Sequence, residues 1–320
     1  MPVTSIGTLR SDYRVISETC GLIDRSERGK LALSGADAKG FLQGQVTNDV
    51  ERLTEGAGCY AAFLTPKGKM LGDLRILDSG DELLLDTERS ALQELFNMIR
   101  RFSIGYVAEL HKRTLERGLL SLLGPEAASV AGVDATLAPE EHAHQMIAIG
   151  GVPARAIRTD IGVDLLYDAE ADVAALRAAL LDAGAAPVDE AAVECLRIEH
   201  GRPRYGVDLD DTVIPQEAGL NERAVSFTKG CYVGQETVAR LYYRGKPNRD
   251  LRGLRLSGPA ERGDELTLDA RVVGRLGSVA DSPAFGPIAL ALVRREAPPG
   301  ATVTVGADGI SAEVTKLPFS

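Results

Sequence analysis

Beyond about residue 245 the chain loses all helical periodicity, and this change of texture constrains its fold more than any other feature. Short strand-like runs follow one another between glycine turns, at 251–256, 265–268, 272–274, 288–293, 301–305 and 312–315. Strands of this length with regular turns are the pattern of a small closed β-barrel. Residues 245–320 are therefore expected to form an antiparallel barrel of their own.

The rest of the chain mixes strands and helices. Residues 31–34 read as a strand, and Gly35 opens the one helix expected before about residue 50, which carries Phe41 and Leu42. A strand at 58–65 turns at 66–69 into a second at 70–77, and a hairpin signal at 78–81 leads to a third that runs through Leu85. Leu92, Leu95, Phe96 and Ile99 form a helical stripe over 90–101, with Ser90 placed as its N-cap. A second unit spans about 107–197: a buried strand at 119–124, a helix opened by Pro125, two strands around 159–162, and helices at 169–183 and 190–199. Gly201 and Pro203 end the last of these.

Composition narrows the function classes. The 320 residues make room for two or three domains. No apolar run approaches the roughly 18 residues that span a membrane, and the first ten residues lack the apolar core of a signal peptide. A soluble, cytoplasmic protein without membrane contact is expected. The net charge of −10 argues against nonspecific duplex binding, and no direct nucleic-acid contact is expected. One local exception is 240–249, with Arg240, Arg244, Lys246 and Arg249 and no acid; it is either a solvated helix end and loop or a face for an anionic partner. The cysteines, Cys20, Cys59, Cys195 and Cys231, form no Cys-x-x-Cys pair, so no resident metal site is expected. Cys20 and Cys59 read as core thiols and Cys195 as the buried face of a helix. His142 and His144, beside Glu140 and Glu141, read as a polar loop.

Four segments carry chemistry. In 227–236, Cys231 stands two residues after Lys229, between Gly230 and Gly234, with Tyr232 beside it and Gln235 and Glu236 opening a helix. A cation and a helix start near a thiol favour the thiolate, but Cys231 is equally a small hydrophobe in a tight turn, and no general base is apparent beside it. The loop after the 190–199 helix is charged and glycine-punctuated, with Arg197, Glu199 and Tyr205 ahead of Asp208, Asp210 and Asp211; such connections often carry function. Glu199 has the alternative of a simple ion pair with Arg197 or Arg202. Asp73, after the turn at 67–72, and Asp164, in an otherwise apolar strand, are the remaining candidates, unless both are solvent groups at a sheet edge.

The string from Lys229 to Glu236 (Lys-Gly-Cys-Tyr-Val-Gly-Gln-Glu) resembles the signature of the YgfZ family, and the similarity extends to 196–206, 215–220, 33–43, 47–50 and the strand at 288–292. That family is related to the glycine cleavage T-protein. The resemblance implies an α+β, three-domain ring around a central folate-sized channel: 1–106 with 198–244 as the channel domain bearing the Lys-Gly-Cys motif, 107–197 as the second domain, and 245–320 as the barrel. It implies tetrahydrofolate, or a derivative, as cofactor. The T-protein's catalytic aspartate segment matches Gly72-Asp73-Leu74, and its pterin-binding glutamate matches Asp164, one methylene shorter. An arginine of that enzyme falls on Val193 here, which removes a rigid donor fork.

The leading expectation is then a folate-binding accessory protein for assembly or repair of iron–sulfur enzymes, including tRNA-modifying ones. Cys231 is its functional thiol and Lys229 the group that favours the thiolate or meets the folate tail. Asp73, Asp164, Glu199, Arg197 and Tyr205 line the cofactor site. Its partners are folate and iron–sulfur client or assembly proteins, and a transient cluster contact through Cys231 would need ligands from elsewhere. The alternative is a tetrahydrofolate-dependent aminomethyltransferase or demethylase; a third reading is a scaffold that has lost folate.

Overall fold

The computed structural model describes residues 6–307 and 309–320. The first five residues, part of the stretch behind the signal-peptide expectation, lie outside the described residues. Inner strands buried on both faces over most of their length build a first sheet of five antiparallel strands, in the order Gly58–Leu64, Met70–Asp78, Glu82–Thr87, Gly29–Ser34 and Glu109–Lys112. The helices Ala38–Gln43 and Leu92–Phe102 cover one face, packing Phe41, Leu42, Leu95 and Ile99 against Leu33, Phe63, Leu74 and Ile76. A second sheet of six strands runs Ala186–Pro187, Gly21–Asp24, Arg117–Leu123, Gly162–Asp168, Val152–Arg158 and His144–Ile149. Val163 and Leu165 of this sheet bury against Leu176 and Leu180 of the helix Val173–Asp182.

The two sheets turn their other faces toward each other. In Met70–Asp78, Leu74 and Ile76 point into the first core, so Asp73, Arg75 and Leu77 share the opposite face. In Gly162–Asp168, Val163 and Leu165 point away, so Asp164 and Leu166 face the first sheet. Ala32, Leu77 and Leu84 meet Ile157 and Leu166 in a small apolar contact between the sheets. Asp73, Arg75 and Asp164, on the same faces, line a polar cavity.

The C-terminal strands close into a barrel in the order Arg249–Leu256, Gly286–Arg294, Arg271–Ser282, Glu265–Leu268, Thr302–Val305 and Ile310–Thr315. The barrel docks on the helix Glu190–Glu199, where Ile198 joins Leu251, Ile288, Leu290 and Phe319. The α+β class and the closed antiparallel barrel agree with the sequence.

Other expectations change. Strand membership crosses the expected 106/107 division: Gly21–Asp24 pairs with the later strand Arg117–Leu123, and Glu109–Lys112 pairs back with Gly29–Ser34. A helix, Ile6–Glu18, precedes the one expected early helix; its Ile16 packs on Leu123, Ala192 and Val193. Ser90 does not cap the helix Leu92–Phe102, because its hydroxyl donates to the Tyr205 carbonyl at 3.2 Å instead. The 169–183 helix begins only at Val173, where Asp172 caps it by accepting from the Ala175 amide at 3.0 Å. The expected polar loop at His142 and His144 is buried, and His144 opens a strand. No described helix is long and apolar enough to cross a membrane.

Candidate functional site

Between the facing sheets and the helix Glu190–Glu199 lies a cavity of about 520 Å³, within the roughly 300–1,000 Å³ range of small-molecule sites. Strand register places its walls. Tyr60 stands opposite Arg75, and Arg75 opposite Asp86, so these three line up across neighbouring strands. On the facing sheet Ser121 is opposite Asp164. Arg75 bridges the sheets, with Nη2 on Asp86 at 2.6 Å and Nη1 on Asp164 at 2.7 Å. Arg28 donates to the other Asp86 oxygen at 2.8 Å, and the Ser121 hydroxyl donates to the other Asp164 oxygen at 2.6 Å.

Asp73 is placed differently. Oδ2 accepts from the Tyr60 hydroxyl at 2.7 Å, and no other described side chain donates to the carboxyl. The Arg223 guanidinium lies 5.1 Å over the Tyr60 ring and is itself paired with Glu141. Burial pushes the Asp73 carboxyl up to about 6, against the opposing pull of the Tyr60 hydrogen bond. Burial likewise lifts the Tyr60 hydroxyl well above its usual range, with the Asp73 charge adding to the effect. For Arg75, burial works to discharge the guanidinium, and the carboxylates of Asp86 and Asp164 more than offset it. The cavity therefore holds one ionic network, in which both terminal nitrogens of Arg75 are paired while its buried Nε is not, and, beside it, a carboxyl poised to hold or release a proton near neutrality.

Of the sequence candidates, Asp73, Asp164 and Arg197 line this cavity, and so does Val193. Neither aspartate is an edge solvent group: both are buried on strands paired on both sides. Both oxygens of Asp164 are occupied by Arg75 and Ser121. Arg197 is spent on the protein, on Glu194, the Arg202 carbonyl, Asp208 and Ser278.

Glu199 does not line this cavity. It faces the junction with the barrel, accepting from Tyr13 at 2.9 Å and from Ser282 at 2.5 Å. Those two hydroxyls, not the expected Arg197 or Arg202, are its partners. Tyr205 packs between two hydrophobic clusters, with its hydroxyl 3.4 Å from the Met70 carbonyl.

No residue of 227–236 lines the central cavity. Lys229 is buried, and its ammonium donates to the carbonyls of Gln43, Val46 and Asn48 at 2.6, 2.7 and 2.7 Å. An ammonium has three protons, so none is left for the Cys231 thiol or a folate tail; the expected roles of Lys229 are replaced by that of a loop clasp. Burial lowers its pKa to about 8, partly opposed by Asp49. Tyr232 is buried against Ala62, Leu64, Met70 and Val238, and Gly234 fits its φ of 84° with Thr65 O only 2.6 Å from where a Cβ would sit. Gln235 and Glu236 open the helix Gln235–Arg244 as expected. Cys231 and Gly230 are exposed, whereas Cys20, Cys59 and Cys195 are pushed up to about 11, 12 and 12 by burial.

Sequence reasoning missed Tyr60, Arg28, Arg75, Ser121, His142 and Arg223 on the cavity wall. Arg75 left a readable signal, a charge two residues after Asp73 on the same strand face. His142 left none, since its burial depends on a turn folded against a distant strand.

Comparison with known proteins places these features. Residues 5–229 match the family described as the GCVT N-terminal domain, and residues 249–320 match the glycine cleavage T-protein C-terminal barrel domain. An Arabidopsis thaliana protein named "Putative transferase At1g60990, chloroplastic" is 31% identical over 308 residues, covering 93% of this chain and 71% of that one. An aminomethyltransferase of Rubrobacter xylanophilus is 30% identical over 328 residues, covering 100% and 88%. The crystal structure of the glycine cleavage system aminomethyltransferase T from Bartonella henselae superposes with a TM-score of 0.86 at 25% identity, covering 100% of this chain and 91% of that one.

Proposed function

Because the chain belongs to the glycine cleavage T-protein family, we propose that it binds a reduced folate in the central cavity and serves a tetrahydrofolate-dependent transfer of an aminomethyl or related one-carbon group. The observation that carries this reading is Asp73: a buried carboxyl with Tyr60 as its one side-chain partner among the described residues, in a cavity of folate-accommodating size. The residues fit the group. A pterin presents adjacent N–H donors, and a carboxylate with acceptor capacity to spare is their complement. When bound, tetrahydrofolate would supply the amine nitrogens that accept a one-carbon unit. Tyr60 orients the Asp73 carboxyl, whose position near 6 lets it hold or give up a proton at working pH. Asp164 acts through Arg75, tying the two sheets together, and Val193 offers an apolar wall where an arginine fork stands in the T-protein.

Calorimetric titration with tetrahydrofolate tests the binding, and formation of a one-carbon folate from a methylamine donor tests the transfer. Absence of binding by the wild-type chain refutes the reading. Binding without turnover favours a second reading, the accessory role in iron–sulfur enzymes. That reading rests on Cys231, which stands exposed in the Lys229–Glu236 string while the other three thiols are suppressed by burial. Among the described residues no three His, Cys, Asp or Glu side chains converge to hold a metal ion, so a cluster touching Cys231 takes its other ligands from a partner. Replacing Cys231 by Ser in the host, with four-iron enzyme activities as readout, tests it; activities equal to wild type beside a defective deletion exclude Cys231.

A further inference from the structure

Unpartnered polar atoms are scarce inside a folded chain, because each gives up water without replacement. One ring on the cavity wall holds two of them. His142 is 7% exposed, and neither Nδ1 nor Nε2 has a hydrogen-bond partner among the described residues. A Glu141 oxygen stands 3.6 Å from Nε2, beyond hydrogen-bond reach, and is engaged by Arg223. Thr159, on the same cavity wall, also carries an unpartnered buried hydroxyl.

The backbone beneath the ring is held in an uncommon conformation. His142 has φ of 72°, in the left-handed region that side chains with a Cβ occupy at a cost. Its amide donates to the Arg158 carbonyl at 2.9 Å, and the His144 amide donates to the Gly56 carbonyl at 2.8 Å, so the His142 turn is fixed by the second sheet and by the segment that leads into the strand Gly58–Leu64. A ring placed only to fill space would carry no polar atoms, and one placed to brace the turn would bond to it. Burial, then the charges of Arg75 and Arg223, push the imidazole down to about 3, so at neutral pH it is uncharged. A neutral imidazole offers one N–H donor and one lone-pair acceptor.

We propose that His142 is a ligand-binding residue of the central cavity, and that it reads an edge of the pterin ring where a donor and an acceptor lie side by side. This rests on the folate reading above and adds to it the group that recognises the heterocycle. Asp73 and His142 then share the recognition of the ring. The carboxyl takes N–H donors, and the imidazole pairs with a mixed edge.

The test is calorimetric titration of tetrahydrofolate and of 6-methyltetrahydropterin into the wild type, His142→Leu and His142→Asn. Leucine removes both polar atoms. Asparagine tolerates the left-handed backbone and keeps a donor and an acceptor on a shorter arm. His142→Leu is expected to weaken both ligands by a common factor of about tenfold, with asparagine between leucine and wild type. The thermal midpoint of His142→Leu should equal or exceed that of wild type, since an unsatisfied buried group has been removed. Should the leucine variant fail to fold, the asparagine variant must still show a loss common to both ligands. Equal affinities in wild type and variants overturn the role of His142 and leave the folate reading standing. Loss confined to tetrahydrofolate overturns the pterin assignment, because it places His142 on the tail. A wild type that binds neither ligand overturns the folate reading and this inference with it.

Discussion

Asp73→Asn is expected to make the free protein more stable at neutral pH while weakening folate binding. Asp73 is 5% exposed, and burial moves its pKa from 3.8 up to about 6. Below pH 3.8 both folded and unfolded chains hold the proton. Between that value and about 6 the native state keeps a proton that the unfolded state has released, so stability falls as pH rises through this window. Above it the deficit is constant; at about 1.36 kcal/mol per pH unit it amounts to about 3 kcal/mol. Asparagine keeps an acceptor for the Tyr60 hydroxyl and cannot ionise. Urea unfolding of wild type and variant should therefore nearly coincide at about pH 4 and separate by about 1–3 kcal/mol in favour of the variant at about pH 8. A difference independent of pH, or a variant less stable at the higher pH, refutes the reasoning. Stability given up at a carboxyl that faces a cavity is a common mark of a functional group. If the variant is more stable and binds tetrahydrofolate as wild type does, Asp73 is not a ligand.

Three further outcomes follow from the geometry. Under native conditions a thiol reagent should modify Cys231 rapidly and the other three cysteines slowly, which the amplitude of the fast phase reads as one thiol per chain. Lys229→Met leaves three carbonyls without their shared donor and should lower stability by about 3 kcal/mol in urea titration; the Cys231 modification rate of the folded variant should not change, and a slower rate would restore an ammonium–thiol coupling. Gly234→Ala forces a Cβ to within 2.6 Å of Thr65 O at a φ of 84° and should lower stability by about 2 kcal/mol, measured by the same titration.

Much of the architecture was legible because it rests on local rules. The glycine-punctuated strands after residue 245 form the closed barrel, the helix at 190–199 has the bounds its apolar spacing implies, and the hairpin through Pro66–Lys69 joins the strands expected on either side. The helix Ile6–Glu18 was not legible, since among its described side chains Ile16 alone is deeply buried, and the buried residues it meets, Leu123, Ala192 and Val193, lie more than a hundred residues away. The candidate site divides in the same way. Asp73 stood out as a carboxylate where a turn runs into a strand, and period-two geometry puts Arg75 on its face. That Arg75 reaches Asp164, 89 residues on, depends on how two sheets face each other.

The segment 227–236 shows the division most sharply. Sequence by itself determined its glycine-rich turn and the helix that follows, because each depends on neighbours in the chain, while it left Cys231 open between a reactive thiol and a small hydrophobe, which the structure resolves by exposing it. Sequence also set Lys229 two residues from Cys231, which suggests a coupled pair. Only the tertiary structure decided otherwise: it buries Lys229 against three carbonyls more than 180 residues upstream. A buried ammonium must satisfy its donors where acceptors converge, and that convergence is set by the packing of distant segments rather than by spacing along the chain.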